Sequence, residues 1–374
     1  MKKKLYFILL LFMALSVEVS AQHFHYYADS LLEDFEKYDG FSGTVMVLHK
    51  GLPVYTKSLG FANIEWQIPN SLNTKFYIAS ISKQFTAAVI LQLEQEGKIN
   101  LKAPITTYIP NYRKDTGKKI TIHHLLSHRS GLPNYTSIPF VWEDSLRNHY
   151  SIDEMVEKLC SGDLETKPGT VYNYNNTGYF LLAKVIENVE RKPYREVLKS
   201  RIFIPLEMNN TGVPKPQEII SNLANGYTLY RGQFSQANYT YMPNLAGAGN
   251  IYTTVGDLLK WNDALNRQTI LSPKSMELMQ TPYSEGKEWI FPYENGYGYG
   301  VGISDIGISA NESTKLIFHS GHISGYSGFF ARFIEEQTTV IILSNMGNIS
   351  TPNMNKLSVA LMQLVKNAER GFGD

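Results

Sequence analysis

Ser80 and Lys83 lie three residues apart in the run Phe76-Tyr77-Ile78-Ala79-Ser80-Ile81-Ser82-Lys83-Gln84-Phe85-Thr86-Ala87-Ala88-Val89-Ile90-Leu91. At that spacing two side chains share one face of a helix, one turn apart. If the helix begins near Ser80, its hydroxyl sits at the positive end of the helix dipole, among unpaired backbone N–H groups. A lysine surrounded by apolar side chains tends to lose its proton, because desolvation disfavours the charged form. A neutral amine beside a serine hydroxyl is a base beside a nucleophile. The competing use of the same residues is a serine cap and a lysine that reaches out to water.

Two other stretches carry groups that can complete such a pair. In Pro168-Gly169-Thr170-Val171-Tyr172-Asn173-Tyr174-Asn175-Asn176-Thr177-Gly178-Tyr179, a turn delivers Tyr174 and Asn176 just before a helix. A phenol near a cation can shuttle protons, and an amide can orient a peptide-like group through its donor and acceptor. Asn176 can equally cap the following helix. In Ile317-Phe318-His319-Ser320-Gly321-His322-Ile323-Ser324-Gly325-Tyr326, a strand carries His319 towards a cleft, and Gly321 allows close backbone approach. If that strand flanks the cleft, the N–H of His322 can pair with the N–H of Ser80 as an oxyanion hole, where one donor is typically worth about two to three orders of magnitude in rate. The alternative is a glycine-rich hairpin with an ordinary surface histidine.

Taken in order, Ser80-x-x-Lys83, Tyr174-x-Asn176 and His319-x-Gly321 resemble the serine β-lactamase and penicillin-binding protein family. The version here looks most like the class C β-lactamases and their carboxypeptidase, esterase and D-aminopeptidase relatives. Leu125 to Pro133 and Gly247 to Thr254 also look like the family, and the likeness runs from about residue 40 to 365. The resemblance implies a β-lactamase/transpeptidase-like fold with Ser80 as the acylated nucleophile and Lys83 as its amine partner. It makes Tyr174 the proton shuttle, gives the substrate amide to Asn176, and places His319 and Gly321 at the substrate. The oxyanion hole would be the N–H groups of Ser80 and His322, with no cofactor. His319 is a departure, since β-lactamases usually have lysine there. An unperturbed histidine is mostly neutral near pH 7, which weakens any anchor for a substrate carboxylate.

The implied activity is hydrolysis of an amide or ester through an acyl-enzyme, on a D-alanyl peptide (DD-carboxypeptidase-like) or a small ester. β-Lactamase activity is an alternative, and a non-catalytic peptidoglycan- or β-lactam-binding sensor is another of a different class.

Periodicity supplies the elements that must hold these residues. Tyr27, Leu31, Leu32, Phe35 and Tyr38 predict a helix over about 26–38, and Gly43 to Leu48 with Val54 to Thr56 predict a hairpin about Lys50-Gly51. The helix opening at Ser80 should run to Gly97 and be buried on all sides. Further helices are expected over 151–160, 178–190, 254–265 and 352–368, and strands over 315–319, 328–334 and 338–344. The fold class is α/β of the α+β type: an antiparallel sheet built from both chain ends, flanked by helices, with a mainly helical lobe inserted. Its boundaries are a sheet lobe over about 22–79 and 310–374 and a helical lobe over about 80–309, within one domain, 22–374. Loops 134–149 and 233–244 are expected to wall the cleft, with Tyr135, Phe140, Trp142, Tyr239 and Tyr241 as candidate contacts.

Lys2, Lys3 and Lys4, the apolar run Leu5 to Val17 and Val19-Ser20-Ala21 read as a secretory signal peptide over 1–21, cut after Ala21. The run is shorter than the roughly 20 residues a membrane span needs, so no stable anchor is expected after cleavage, and the protein is expected in the periplasm or outside the cell. Losing that segment removes three lysines and one glutamate from 35 basic and 34 acidic residues, leaving a formal charge of −1. That balance, with no basic patch, gives no sign of a nucleic-acid partner; the expected partner is a small-molecule or peptide substrate. Cys160 is the only cysteine, so no internal disulfide forms. His123, His124 and His128 suggest a metal cluster, but no carboxylate completes an H-E-x-x-H pattern, and no metal is expected.

Overall fold

The computed structural model describes residues 22–138, 145–284, 294–309 and 312–370. The expected signal peptide, Phe140 and Trp142 lie outside the described residues.

The first helix, α1, spans residues 22–39. Phe24, Ala28, Leu32 and Phe35 are its buried stripe, whereas Tyr27 and Tyr38, expected on that face, are exposed. Next come β1 (Gly43–His49) and β2 (Leu52–Leu59). Lys50 and Gly51 between them both take positive φ, 51° and 79°, as a two-residue primed hairpin turn requires.

Five strands from the far end of the chain complete the sheet: β3 (Glu294–Tyr297), β4 (Gly302–Ser309), β5 (Glu312–Ile323), β6 (Tyr326–Phe333) and β7 (Thr338–Ser344). The order is β2-β1-β7-β6-β5-β4-β3, and every neighbouring pair is antiparallel. Strand β1 from the N-terminal part therefore sits inside the sheet, pairing Gly43 with Ser344 and His49 with Thr338. Two of the strands, β3 and β4, correct the boundary expected at 309/310: the sheet begins again at Glu294.

Side chains alternate between the two faces with the period of two that strands impose. Val45, Val47, Phe318, Phe329, Ala331, Val340 and Ile342 pack on one face with α1 and the last helix, α5 (Thr351–Arg370). Met46, Leu48, Ile317, Phe330, Ile341 and Leu343 face the other way, into the core shared with the helical lobe. Three longer helices carry that lobe: α2 (Ser82–Gln95), α3 (Asn176–Glu190) and α4 (Val255–Asn266). Ser82 to Leu91 of α2 are buried without a break, because the sheet and the other helices close round it. Phe85 of α2 stacks on Trp261 of α4 with centroids 4.3 Å apart, worth about 0.5–1.5 kcal/mol beyond the area buried.

Candidate active site

The serine is presented by a constrained turn. Phe76–Tyr77 pairs with Tyr252–Thr253, and the Ile78 N–H donates to the Ile251 carbonyl at 2.9 Å. Ala79 then takes φ +47°, a left-handed conformation that costs a residue with a Cβ about 1–3 kcal/mol. A 3₁₀ turn over Ala79–Ile81 follows and runs directly into α2. Ser80 therefore stands half-buried at the head of the buried helix, as its spacing from Lys83 suggested.

Lys83 is fully buried. Its Nζ is 2.9 Å from Ser80 Oγ, 2.8 Å from Asn176 Oδ1 and 2.9 Å from the Ala248 carbonyl oxygen. Desolvation holds its pKa well below the ordinary lysine value. Asn176 Oδ1 and the Ala248 carbonyl only accept, so each takes an N–H of the amine. Nζ also donates to Ser80 Oγ in the ammonium form, and once the amine is neutral that third position is a lone pair facing the Ser80 hydroxyl. Lys83 does not reach out to water.

The Tyr174-x-Asn176 loop is tied down from several sides. Asn175 caps α3, its side chain accepting from the Gly178 N–H at 3.1 Å, and donates to the Leu132 carbonyl at 2.6 Å. The cap is thus Asn175, and Asn176 is free for Lys83. The Asn176 side-chain amide also donates to Thr136 Oγ1 at 2.8 Å, and its N–H donates to Asn134 Oδ1 at 3.1 Å. The Tyr174 ring lies against this group, with Lys83 Nζ 4.8 Å from its centroid and the His319 ring 6.2 Å away.

On β5, residues 317, 319 and 321 share the face turned to α2, which brings His319 and Gly321 to the serine turn. A Cβ on Gly321 would lie 2.2 Å from the Ile78 carbonyl oxygen, so only glycine lets the strand approach that closely. The His322 side chain points to the opposite face, where its Nε2 is 2.6 Å from the Ile349 carbonyl. His319 is buried. Its Nδ1 is 2.5 Å from the Ser320 carbonyl, which can only accept, so Nδ1 carries the proton. Nε2 then accepts from the Tyr297 hydroxyl at 2.9 Å. Burial, and secondarily the nearby Lys83, bring its pKa down to about 3. The position that resembles a carboxylate anchor thus holds an uncharged ring with both nitrogens engaged.

Other candidates from the sequence have different places. Tyr135, expected to contact ligand, is fully buried and donates to the Asn244 carbonyl at 2.8 Å. Tyr239 and Tyr241 line a cavity of about 290 Å³ with Tyr77, Ile323, Ser324 and Tyr326, beginning two residues beyond Gly321 on β5. His123 meets the Tyr299 hydroxyl at 2.7 Å, His124 Nδ1 accepts from the Thr121 N–H at 3.3 Å, and His128 Nδ1 accepts from the Asn175 N–H at 3.0 Å. Among the described residues no group of three or more metal-type ligands gathers, and no described helix is long and apolar enough to cross a membrane. Cys160 is buried, and burial raises its thiol pKa, which makes it a packing residue.

Four groups were not assigned to the site from sequence: the Ala248 carbonyl, Thr136, His128 and Tyr297. The stretches holding Ala248 and His128 resembled the family, yet nothing marked these atoms within them. Thr136 lies in the loop 134–149 expected to wall the cleft, where aromatic residues and not a threonine stood out as contacts, and Tyr297 had no local signal.

With this fold, and with the amine of Lys83 buried against Ser80 at the head of its central helix, the class is a serine hydrolase of the β-lactamase/transpeptidase type. The Beta-lactamase family model matches residues 28–357, and the chain belongs to that family. It is 30% identical over 331 residues to Penicillin-binding protein 4* of Bacillus subtilis (strain 168), covering 84% of this chain and 70% of that protein. It is also 30% identical over 259 residues to the teichoic acid D-alanine hydrolase of Staphylococcus aureus (strain NCTC 8325 / PS 47), covering 69% of this chain and 62% of that one. Among solved structures, it is similar to the D-amino acid amidase of Ochrobactrum anthropi SV3 complexed with D-phenylalanine. The TM-score is 0.79 at 25% identity, over 92% of this chain and 99% of that one.

Proposed function

We propose that the protein is an exported serine hydrolase that forms an acyl-enzyme on Ser80 and cleaves D-alanyl or related small acyl groups from an amide or ester whose leaving group bears no carboxylate. The observation that carries the catalytic part is the buried Lys83, its Nζ 2.9 Å from Ser80 Oγ and its pKa held well below the ordinary lysine value by desolvation. Ser80 Oγ attacks the substrate carbonyl while its proton passes to Lys83 Nζ. Charge on the carbonyl oxygen is met by the N–H groups of Ser80 and His322. Tyr174 relays a proton to the leaving nitrogen or oxygen as its bond to the acyl carbon breaks, and water then cleaves the ester on Ser80 by the reverse relay. Asn176 holds Lys83 and the substrate amide.

The leaving-group part rests on His319, which is uncharged and has no ring nitrogen left to bind a carboxylate. That favours esters and amides over a D-Ala-D-Ala peptide, and it matches what the names of the hydrolase and amidase relatives say of those proteins. Export rests on residues 1–21 and would be checked by N-terminal sequencing of the secreted protein for a start at Gln22.

A fluorophosphonate or fluorescent penicillin probe is expected to label the folded protein at Ser80 and to leave Ser80→Ala unlabelled. Equal labelling of Ser80→Ala, or none on folded protein, would favour a binding protein instead. In a panel of nitrocefin, p-nitrophenyl acetate, a D-Ala-D-Ala peptide and a D-aminoacyl anilide, the ester and the anilide should turn over fastest. Preference for the D-Ala-D-Ala peptide would overturn the role given to His319.

A further inference from the structure

We propose that His128 is the positioning residue for Tyr174, clamping the backbone on both sides of that phenol and packing against its ring. The inference rests on the Ser80–Lys83–Tyr174 mechanism above and assigns a task to a side chain that the mechanism does not itself use.

Tyr174 is held through its two neighbours. The Asn173 N–H donates to the His128 carbonyl at 2.9 Å, and the Asn175 N–H donates to His128 Nδ1 at 3.0 Å. One residue can offer its carbonyl and its ring to alternate amides of the same strand-like segment only if its backbone turns sharply. His128 does so at φ +55°, at a cost of about 1–3 kcal/mol for a residue with a Cβ. The imidazole is buried and lies 4.4 Å from the Tyr174 ring, 4.6 Å from that of Tyr297 and 5.1 Å from that of Tyr179, centroid to centroid. Tyr297 in turn holds His319, so His128 sits at the hub of the rings that border Lys83.

Simple packing does not account for an imidazole here. Because Nδ1 accepts, the ring proton is on Nε2, and that buried N–H has no hydrogen-bond partner among the described residues. An unmade bond of this kind costs about 1–3 kcal/mol, which an apolar side chain of similar size would avoid. What the imidazole adds is the acceptor for the Asn175 N–H. Burial, with Lys83 and His319 nearby, holds its pKa well below the ordinary value, so the acceptor persists at neutral pH. The result is a phenol fixed relative to Lys83, and misplacement of a reacting group by about 1 Å can cost about 100-fold.

The test is steady-state turnover of p-nitrophenyl acetate by the full chain carrying His128→Ala, His128→Gly or His128→Asn, each alone and combined with Tyr174→Phe, with circular dichroism confirming folding. Tyr174→Phe alone should lower kcat at least ~100-fold. His128→Ala should lower kcat by about 30- to 100-fold with KM within about threefold, and by less than about threefold when Tyr174 is already phenylalanine. Asparagine tolerates the left-handed backbone and offers an acceptor, so His128→Asn should recover at least about tenfold over His128→Gly, which keeps the backbone but has no acceptor. That pair decides the matter even if the alanine variant fails to fold. Undiminished loss in the Tyr174→Phe background, or His128→Asn no better than His128→Gly, would overturn the positioning role and leave the mechanism standing. Near-normal turnover by Tyr174→Phe alone would overturn the mechanism, and His128 with it.

Discussion

Asn175 and Asn176 are adjacent in the chain and turn their side-chain amides to different tasks: Asn175 accepts from the Gly178 N–H and caps α3, while Asn176 accepts from Lys83 Nζ at 2.8 Å. The first fixes where the helix starts, and the second therefore emerges in its first turn with its oxygen on the lysine. Burial lowers the Lys83 pKa, and a neutral acceptor at that point adds no charge to oppose it, as an anion would.

Asn176→Asp tests this directly. A carboxylate 2.8 Å from Nζ would favour the ammonium form and raise the lysine pKa. With the base protonated, kcat on p-nitrophenyl acetate at pH 7 should fall by about 100-fold, and the rise of activity with pH should move to higher pH. A pH–rate profile that keeps its wild-type position would show that Lys83 is not the group being titrated.

Gly321→Ala tests the close approach of β5 to the serine turn. The added methyl would meet the Ile78 carbonyl at 2.2 Å, so strand and turn must separate. Overpacking of this kind costs about 1–3 kcal/mol, and the oxyanion donors on the two segments would move apart. Labelling of Ser80 by a fluorophosphonate should slow by about 10- to 100-fold with a modest fall in Tm. Unchanged labelling would place the oxyanion hole elsewhere.

Stability should fall as the solution is acidified. His319 has its folded pKa depressed to about 3, against about 6.5 when unfolded. Between those values the unfolded chain binds the extra proton, so unfolding free energy rises with pH and is lost as pH drops from about 6.5 towards 3. His319 alone contributes up to about 1.4 kcal/mol per pH unit across that window. His123, held near 4 mainly by burial, acts in the same direction with more solvent screening. Denaturant titrations at pH 7, 5.5 and 4.5 should show a falling midpoint, with a shallower fall in His319→Gln. An equal slope in that variant would assign the acid sensitivity to other groups.

Much of the site was legible because its chemistry is carried by residue type and spacing. Ser80 and Lys83 are one helical turn apart, and the continuous apolar runs Phe329 to Ala331 and Val340 to Leu343 mark strands with two buried faces. Strands β3 and β4 escaped notice for a physical reason: their run is rich in glycine, and a register shift between Gly307 and Ser309 breaks the period-two rhythm. The stripe of α1 was misjudged because tyrosine is equally at home on a surface, where Tyr27 and Tyr38 lie. A backbone oxygen such as that of Ala248 has no letter in the sequence at all. The Tyr297–His319 bond, which occupies the one ring nitrogen that the Ser320 carbonyl leaves open, joins residues whose neighbourhood only the folded sheet creates.

The pairing of β1 with β7 has a kinetic side. Gly43 and Ser344 are separated by about 300 residues of chain, and contacts of such separation form late because the loop-closure entropy must be met first. During synthesis, β1 has to wait without this neighbour until the chain has been made as far as Ser344. The same delay applies to β5, β6 and β7, so the strand bearing Gly321 and the turn bearing Ser80 can come together only at the close of folding. A chain halted short of Thr338 would have the nucleophile and its lysine but no finished enzyme.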